Sequence, residues 1–274
     1  MRNVSLDVKR KTYDALQAIG DPKRVNEFYA ELIGRTVSSH VAGGDIVVDA
    51  GAFHGRQTLA LAAAVGPGGR VFAFEPLQPA FVVLSTQLRR HGFEDAVQAH
   101  QLAVSDHEGD MPFHHIHQAP GRSGRIWEGS PTERAGGFTA TELRVPVARL
   151  DTVVGGSGPV RLMHLDLEGG ELAALRGAVG LLARDRPLLL FRNSRGVAAS
   201  MFGYDAGAFC GFFDAAGYEL FNVLGFRFQQ RDWTTGRQPG WYLGVPAEDE
   251  VAKGTLHGMI DDVAAQHGLA AIFA

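Results

Sequence analysis

The chain has 274 residues, 45% of them hydrophobic and 20% charged, with a net charge of −4. That is the make-up of a globular α/β protein, and the absence of any block of like charge argues against nucleic acid or an anionic membrane as a partner. Cys210 is the only cysteine, which excludes an internal disulfide and a cysteine-built zinc site. The opening residues lack the apolar core of a secretory signal, and the longest apolar run, LALAAAVG at 59–66, is far too short to span a bilayer. A cytoplasmic chain with no membrane contact is the expectation.

In chain order, residues 7–38 read as two amphipathic helices broken at GDP, 20–22. Val8, Tyr13, Leu16 and Ile19 recur at helical spacing in the first, and Val25, Phe28, Leu32 and Ile33 in the second. Residues 1–40 are therefore expected as a helical extension, a lid or a homodimer contact, ahead of one domain over 41–274. DIVVDAG (45–51) reads as a strand, RQTLALAAAVG as a helix stopped by PGG, RVFAFEP as a second strand, AFVVLSTQLRRHG as a second helix and AVQAHQLAV as a third strand. This alternation predicts a parallel sheet covered on both faces. At 109–148 the rhythm changes to an inserted hairpin, DMPFHHIH and TELRVPVARL, around a long loop at 118–137 that carries Arg122, Arg125, Trp127 and Arg134. A loop of that length in a compact domain suits substrate binding, and Arg125 and Trp127 are its candidates. Next come strand VRLMHLDLEGG, a single helix ELAALRGAVGLLAR, strand PLLLF (187–191), a helix at about 205–216 and an antiparallel pair, YELFNVLGF with GWYLGVP.

The first turn reads Asp49-x-Gly51-x-x-x-Gly55, and the second strand ends on Glu75, 24 residues beyond Gly51. An acid at that place can accept hydrogen bonds from both hydroxyls of a ribose, and a glycine turn lets a ligand approach the backbone. The second close glycine that a pyrophosphate requires is missing, and Asp49 would oppose a phosphate but suit an ammonium or sulfonium group. S-adenosylmethionine fits; a nicotinamide dinucleotide does not. Asp166 and Glu168 close the fourth main strand, where they could orient an acceptor or take its proton. His164, two residues earlier, is a further candidate base. The histidines of FHHIHQ lack a carboxylate at matching spacing, and Arg192 would repel an ion from Asp166 and Asn193, so no metal is expected.

VVDAGAFHGRQTL, VFAFEPLQPAFVVL, LAVSDHEG, ARLDTVV and HLDLEGGELAALRGA occur in the order seen in the FkbM-type S-adenosylmethionine-dependent methyltransferases, which the chain resembles over roughly 45–191. The resemblance implies a class I, Rossmann-like methyltransferase fold, with a seven-stranded mostly parallel sheet and helices on both faces. It implies methyl transfer to a hydroxyl of a small molecule, a sugar or a polyketide-type product, with S-adenosylhomocysteine released. Carried over, Asp49, Gly51, Phe53, His54, Gly55 and Thr58 would surround the methionine end. Glu75 and Pro76 would hold the ribose, Leu102, Ala103 and Ser105 would border the adenine, and Asp166 would touch the cofactor. Phe53 stands where the family commonly has asparagine. Arg192, with Asn193 beside it, stands where a glutamate is common, which suggests an acceptor pocket that receives an anionic group. Those two departures also motivate the alternative of a catalytically inactive, cofactor-binding assembly partner.

Overall fold

The computed structural model describes the chain except residues 118–119, 126–139, 235–237 and 274, and the side chains of Arg122 and Arg125. Two helices, α1 (Leu6–Ala18) and α2 (Pro22–His40), precede strand β1 (Ile46–Ala50), and the break between them is capped by Asp21, which accepts from the Lys23 and Arg24 amides. Then follow α3 (Arg56–Val65), β2 (Arg70–Phe74), α4 (Gln78–His91), β3 (Val97–His100) and β4 (Ala103–Val104). The inserted region holds β5 (Gly109–Ile116), β6 (Gly124–Arg125) and β7 (Ala140–Ala148). The remainder is α5 (Leu150–Val154), β8 (Val160–Leu165), α6 (Glu171–Arg176), α7 (Val179–Asp185), β9 (Leu188–Arg192), α8 (Gly196–Phe202), α9 (Ala206–Ala215), β10 (Tyr218–Asn222), β11 (Trp241–Pro246), α10 (Glu250–Gln266) and α11 (Ala270–Phe273).

The main sheet has seven strands in the order β10-β11-β9-β8-β1-β2-β3, parallel except for β11, which runs antiparallel to both of its neighbours. Leu61, Val65, Leu84 and Leu256 pack on one face, while Leu150, Leu175, Leu182, Phe209 and Phe213 pack on the other. With both faces covered, the central strands can be apolar on both sides, which is why β1 is apolar but for Asp49 and β9 but for the closing Arg192. Among the described residues no helix is long and apolar enough to cross a membrane.

Three sequence expectations change. The third strand does not run through to Val104. It leaves the main sheet after His100, and Ala103–Val104 pairs with Val147–Ala148 in a second sheet of order β4-β7-β5-β6. The 109–148 hairpin is therefore part of a four-stranded layer, with its own cluster of Met111, Phe113, Val145 and Val147 packed on Leu77 and Ala80. The single helix expected from Glu171 to Arg184 is two, because Asp151 reaches across to accept the Gly180 and Leu181 amides at 2.9 Å each and so caps α7 at a new start. Helices α8 and α10 had no counterpart in the sequence reading.

The apolar stripes of α1 and α2 are spent within the chain. Tyr13, Leu16, Phe28 and Leu32 join Val223, Leu224, Phe226, Ile260 and Val263 in a cluster at the β10 end of the sheet. Lys9 is carried into that cluster with its charge paired, its Nζ donating to Asp232 Oδ2 at 2.7 Å with both side chains almost wholly buried.

Candidate active site

A cleft opens at the carboxyl ends of β1, β2 and β8, where the strand order reverses and open α/β sheets receive their ligands. Its empty volume is about 900 Å³ counting the open mouth, the size of a small-molecule site.

On the β1–β2 side, the glycine turn makes the approach possible. Gly51 has φ +86°, and a Cβ there would stand 2.1 Å from the Asp166 carbonyl oxygen, so only glycine lets the turn sit this close to the end of β8. Phe53 follows at φ +47°, a left-handed conformation costly for a bulky residue. Its amide donates to Glu75 Oε2 at 3.0 Å, and the Leu77 amide donates to Oε1 at 2.8 Å. Glu75 thus holds the turn while lining the cleft, only 5% exposed. Burial pushes its carboxyl up to about 7 against the opposing pull of the two amides. Each oxygen still has a second lone pair to offer.

Asp49 does not reach the cleft. It is fully buried, with Oδ2 accepting from the Thr58 hydroxyl at 2.6 Å and Oδ1 sharing a hydrogen bond with His164 Nδ1 at 2.8 Å. These three side chains tie β1 to α3 and β8 beneath the turn. The expected places of Asp49 and Thr58 at the methionine end, and of His164 as a base, therefore give way to a buried clamp: His164 is committed to Asp49 and stacks on Trp241 of β11 at 5.5 Å. His54 and Gly55 also lie off the cleft wall, His54 stacked on Phe53 at 3.7 Å. Pro76, Leu102, Ala103 and Ser105 do line it. Met111 and Phe113 of β5 join them, so the second sheet is a wall of the site, which the sequence reading missed.

On the β8 side, Asp166, Leu167, Glu168 and Gly170 line the cleft, with Phe202 of α8 beside them. Arg192, half-exposed at the end of β9, donates to Glu168 Oε1 at 3.0 Å and to Asp166 Oδ1 at 3.5 Å. Burial works against its charge, but the two carboxylates outweigh that and raise its pKa. A guanidinium already facing two acids is not the free anion receptor expected from the sequence. Asn193 is 1% exposed and off the cleft wall, donating to Tyr204 Oη at 2.8 Å and to Glu171 Oε2 at 3.3 Å. It makes no substrate contact available. Of the loop candidates, Trp127 and Arg134 lie outside the described residues, and Arg125 is described only as backbone in β6. Pro120, Gly121 and Ser123, from the described part of that loop, line the cleft. The His115 and His117 rings lie 4.7 Å apart, tilted at 47°, and among the described residues no group of three or more metal-capable side chains gathers.

A model of the methyltransferase FkbM domain matches residues 49–220. The chain belongs to the FkbM methyltransferase family. The match begins at Asp49 and ends within β10, so it takes in the glycine turn, Glu75 and the 166–171 loop. The FkbM domain here is built on a seven-stranded, mostly parallel sheet and is an S-adenosylmethionine-dependent methyltransferase domain, with S-adenosylmethionine as its cofactor. Among solved structures, the methyltransferase FkbM of Methylobacillus flagellatus KT is similar at 16% identity and TM-score 0.45, over 76% of this chain and 47% of that one. This chain thus spans less than half the length of that FkbM protein. An rRNA methylase from Streptococcus thermophilus is similar at 14% identity and TM-score 0.40, over 78% of this chain and 92% of that one. A SAM-dependent methyltransferase from Aquifex aeolicus is similar at 14% identity and TM-score 0.40, over 85% of this chain and 96% of that one. No curated protein sequence matches the chain.

Proposed function

We propose that this protein transfers a methyl group from S-adenosylmethionine to a hydroxyl of an uncharged small molecule, a sugar or a polyketide-type product. The observation that carries the reading is that Glu75 and Asp166, which close strands far apart in sequence, line one cleft at the switch point of the sheet. The cleft fits the cofactor: Glu75 has lone pairs for ribose hydroxyls, Leu102, Ala103 and Ser105 form a surface for adenine, and the Gly51 turn brings backbone to the cleft wall. Bound there, the cofactor supplies an electrophilic methyl. The chain's own residues hold the acceptor oxygen in line and take its proton, the two tasks that methyl transfer asks of a protein.

Asp166 is the residue we assign to the proton, with Glu168 orienting the acceptor. Arg192 bridges the two and keeps like charges from repelling each other at 28–31% exposure. Two acids against one arginine make a rim unfavourable to a phosphodiester or carboxylate, which supports a neutral polyol over RNA or an anionic acceptor. His164 we place as a support for Asp49. Residues 1–40 we read as a brace for the β10 end rather than a lid, since none of them lines the cleft.

Calorimetry with S-adenosylhomocysteine and transfer of labelled methyl to a panel of neutral hydroxylated sugars and macrolides test the reading. Absence of S-adenosylhomocysteine binding sinks it outright. Binding without transfer to any hydroxyl would turn the assignment to a cofactor-binding partner without catalysis.

A further inference from the structure

The turn that carries Asp166 and Glu168 is held by a side chain that never touches the cleft. Glu171 is 1% exposed, and its Oε1 accepts the Leu167 amide at 2.9 Å and the Gly169 amide at 3.1 Å. Its other oxygen accepts from Asn193 Nδ2 at 3.3 Å, and that same nitrogen donates to Tyr204 Oη at 2.8 Å. Asn193 is itself fixed, its Oδ1 accepting the Arg195 amide at 2.7 Å. The start of α6 and the end of β9 therefore meet on one buried carboxylate, and the segment after α8 is joined to it through Asn193.

What that carboxylate grips is a strained turn. Between the two gripped amides lies Glu168, at φ +50°, a left-handed conformation that a glutamate adopts only when its surroundings impose it. Gly169 follows at φ +111°, and a Cβ there would stand 2.5 Å from the Phe202 ring, so the turn is pressed between an aromatic ring and the buried acid. In this conformation the Glu168 carboxylate comes to lie 3.0 Å from Arg192 on the cleft rim. A buried carboxylate is costly to desolvate unless its hydrogen bonds are made. Two of its hydrogen bonds come from the amides of this turn and a third from Asn193.

We propose that Glu171 is the positioning residue of the acceptor end, holding residues 166–169 in the one conformation that aims Asp166 and Glu168 together into the cleft. This assignment rests on the methyl-transfer reading above for its meaning but not for its first test. Glu171 acts through the backbone and through Glu168, and Asn193 and Tyr204 fix it in turn.

Glu171→Gln and Glu171→Leu in the full chain separate the possibilities. Glutamine keeps one oxygen for both amides; leucine fills the space and accepts nothing. Amide hydrogen exchange over 166–170 needs no acceptor molecule. It should quicken on the order of 10- to 100-fold in the leucine variant, with β1 and β2 unchanged, and by no more than about tenfold in the glutamine variant, which keeps the acceptor for the two amides but loses the one that Asn193 donates to. With an acceptor found in the panel, kcat should fall on the order of 100-fold for leucine while KM for the cofactor moves by less than about threefold, and glutamine should restore most of the rate. Should leucine abolish folding, Asn193→Ala frees one Glu171 oxygen and should quicken exchange over 166–170 by about tenfold. Unchanged exchange in the variant that folds overturns the proposal, as does an equal loss of kcat with glutamine and leucine. A wild-type chain that binds S-adenosylhomocysteine but methylates nothing would sink the reading of function, and the exchange result would still decide this one.

Discussion

The two ends of the cleft are built on the same device. At the β2 end a buried glutamate, Glu75, accepts two backbone amides and steadies a turn containing a left-handed phenylalanine. At the β8 end another, Glu171, accepts two backbone amides and steadies a turn containing a left-handed glutamate. Burial pushes both carboxyls up to about 7. The difference lies in what the remaining lone pairs meet. Glu75 lines the cleft and can serve a ligand; Glu171 is sealed behind Asn193 and serves only the chain. A buried acid on a strand-to-helix turn is thus not by itself a ligand contact. Its exposure to the cleft decides.

The strongest way to break this symmetry is at the one point where the two turns touch. Gly51→Ala drives a methyl into the Asp166 carbonyl, and both ends should suffer: roughly 3 kcal/mol lost in thermal or urea unfolding, with cofactor binding lost at the same time. A stable variant that binds normally would mean the turns are not coupled there. Glu75→Ala should act on one end only, raising the Kd for S-adenosylhomocysteine on the order of 100-fold by calorimetry, since two hydrogen bonds to a charged group disappear. An affinity within threefold of wild type would take the ribose from Glu75.

Acidity separates the ends more gently. Ribose hydroxyls donate to an ionised Glu75, so affinity should decline as pH falls below about 7, by at most about tenfold per unit. Stability of the free chain moves in the other direction. Both glutamates titrate in the folded state at about 7, above their ordinary 4.5, so the folded chain holds protons there that the unfolded chain has released. Stability should therefore fall as pH rises from about 4.5 to about 7, and adding cofactor should offset the part due to Glu75. A melting temperature flat across that window would show that neither carboxyl is perturbed. The smallest effect is expected from Arg192→Gln: no more than about 1 kcal/mol in stability, as befits a half-exposed pair, and little change in cofactor affinity. Its consequence belongs to the acceptor, whose KM should rise.

The cofactor end was legible in the sequence because it is local. A strand, a glycine turn and the acid closing the next strand lie within 49–75, so spacing alone brought Gly51 and Glu75 to one place. What spacing could not show was which way a side chain on a doubly covered strand would point. Asp49 faces into the sheet layers and meets its register neighbour His164, two residues each taken for a site contact. The acceptor end was harder, because it is assembled from α6, β9 and α8 across intervals no periodicity links. Asn193 looked like a site residue from its place after β9, and it is a buried brace. Phe202 went unnoticed because α8 spans only seven residues, too few to show a pattern. Met111 and Phe113 alternated as strand residues should, but only the departure of Ala103 and Val104 into the second sheet puts them against the cleft.

The burial of α1 bears on how the chain acquires its shape. Lys9 finds its partner 223 residues further on, and Leu16 and Phe28 pack against side chains from the last quarter of the protein. A helix as short as α1 is marginal by itself in water, so this segment stays largely unformed until the residues it packs on, 223–263, have been made. Helices α1 and α2 are thus made long before their packing partners and become native only after them.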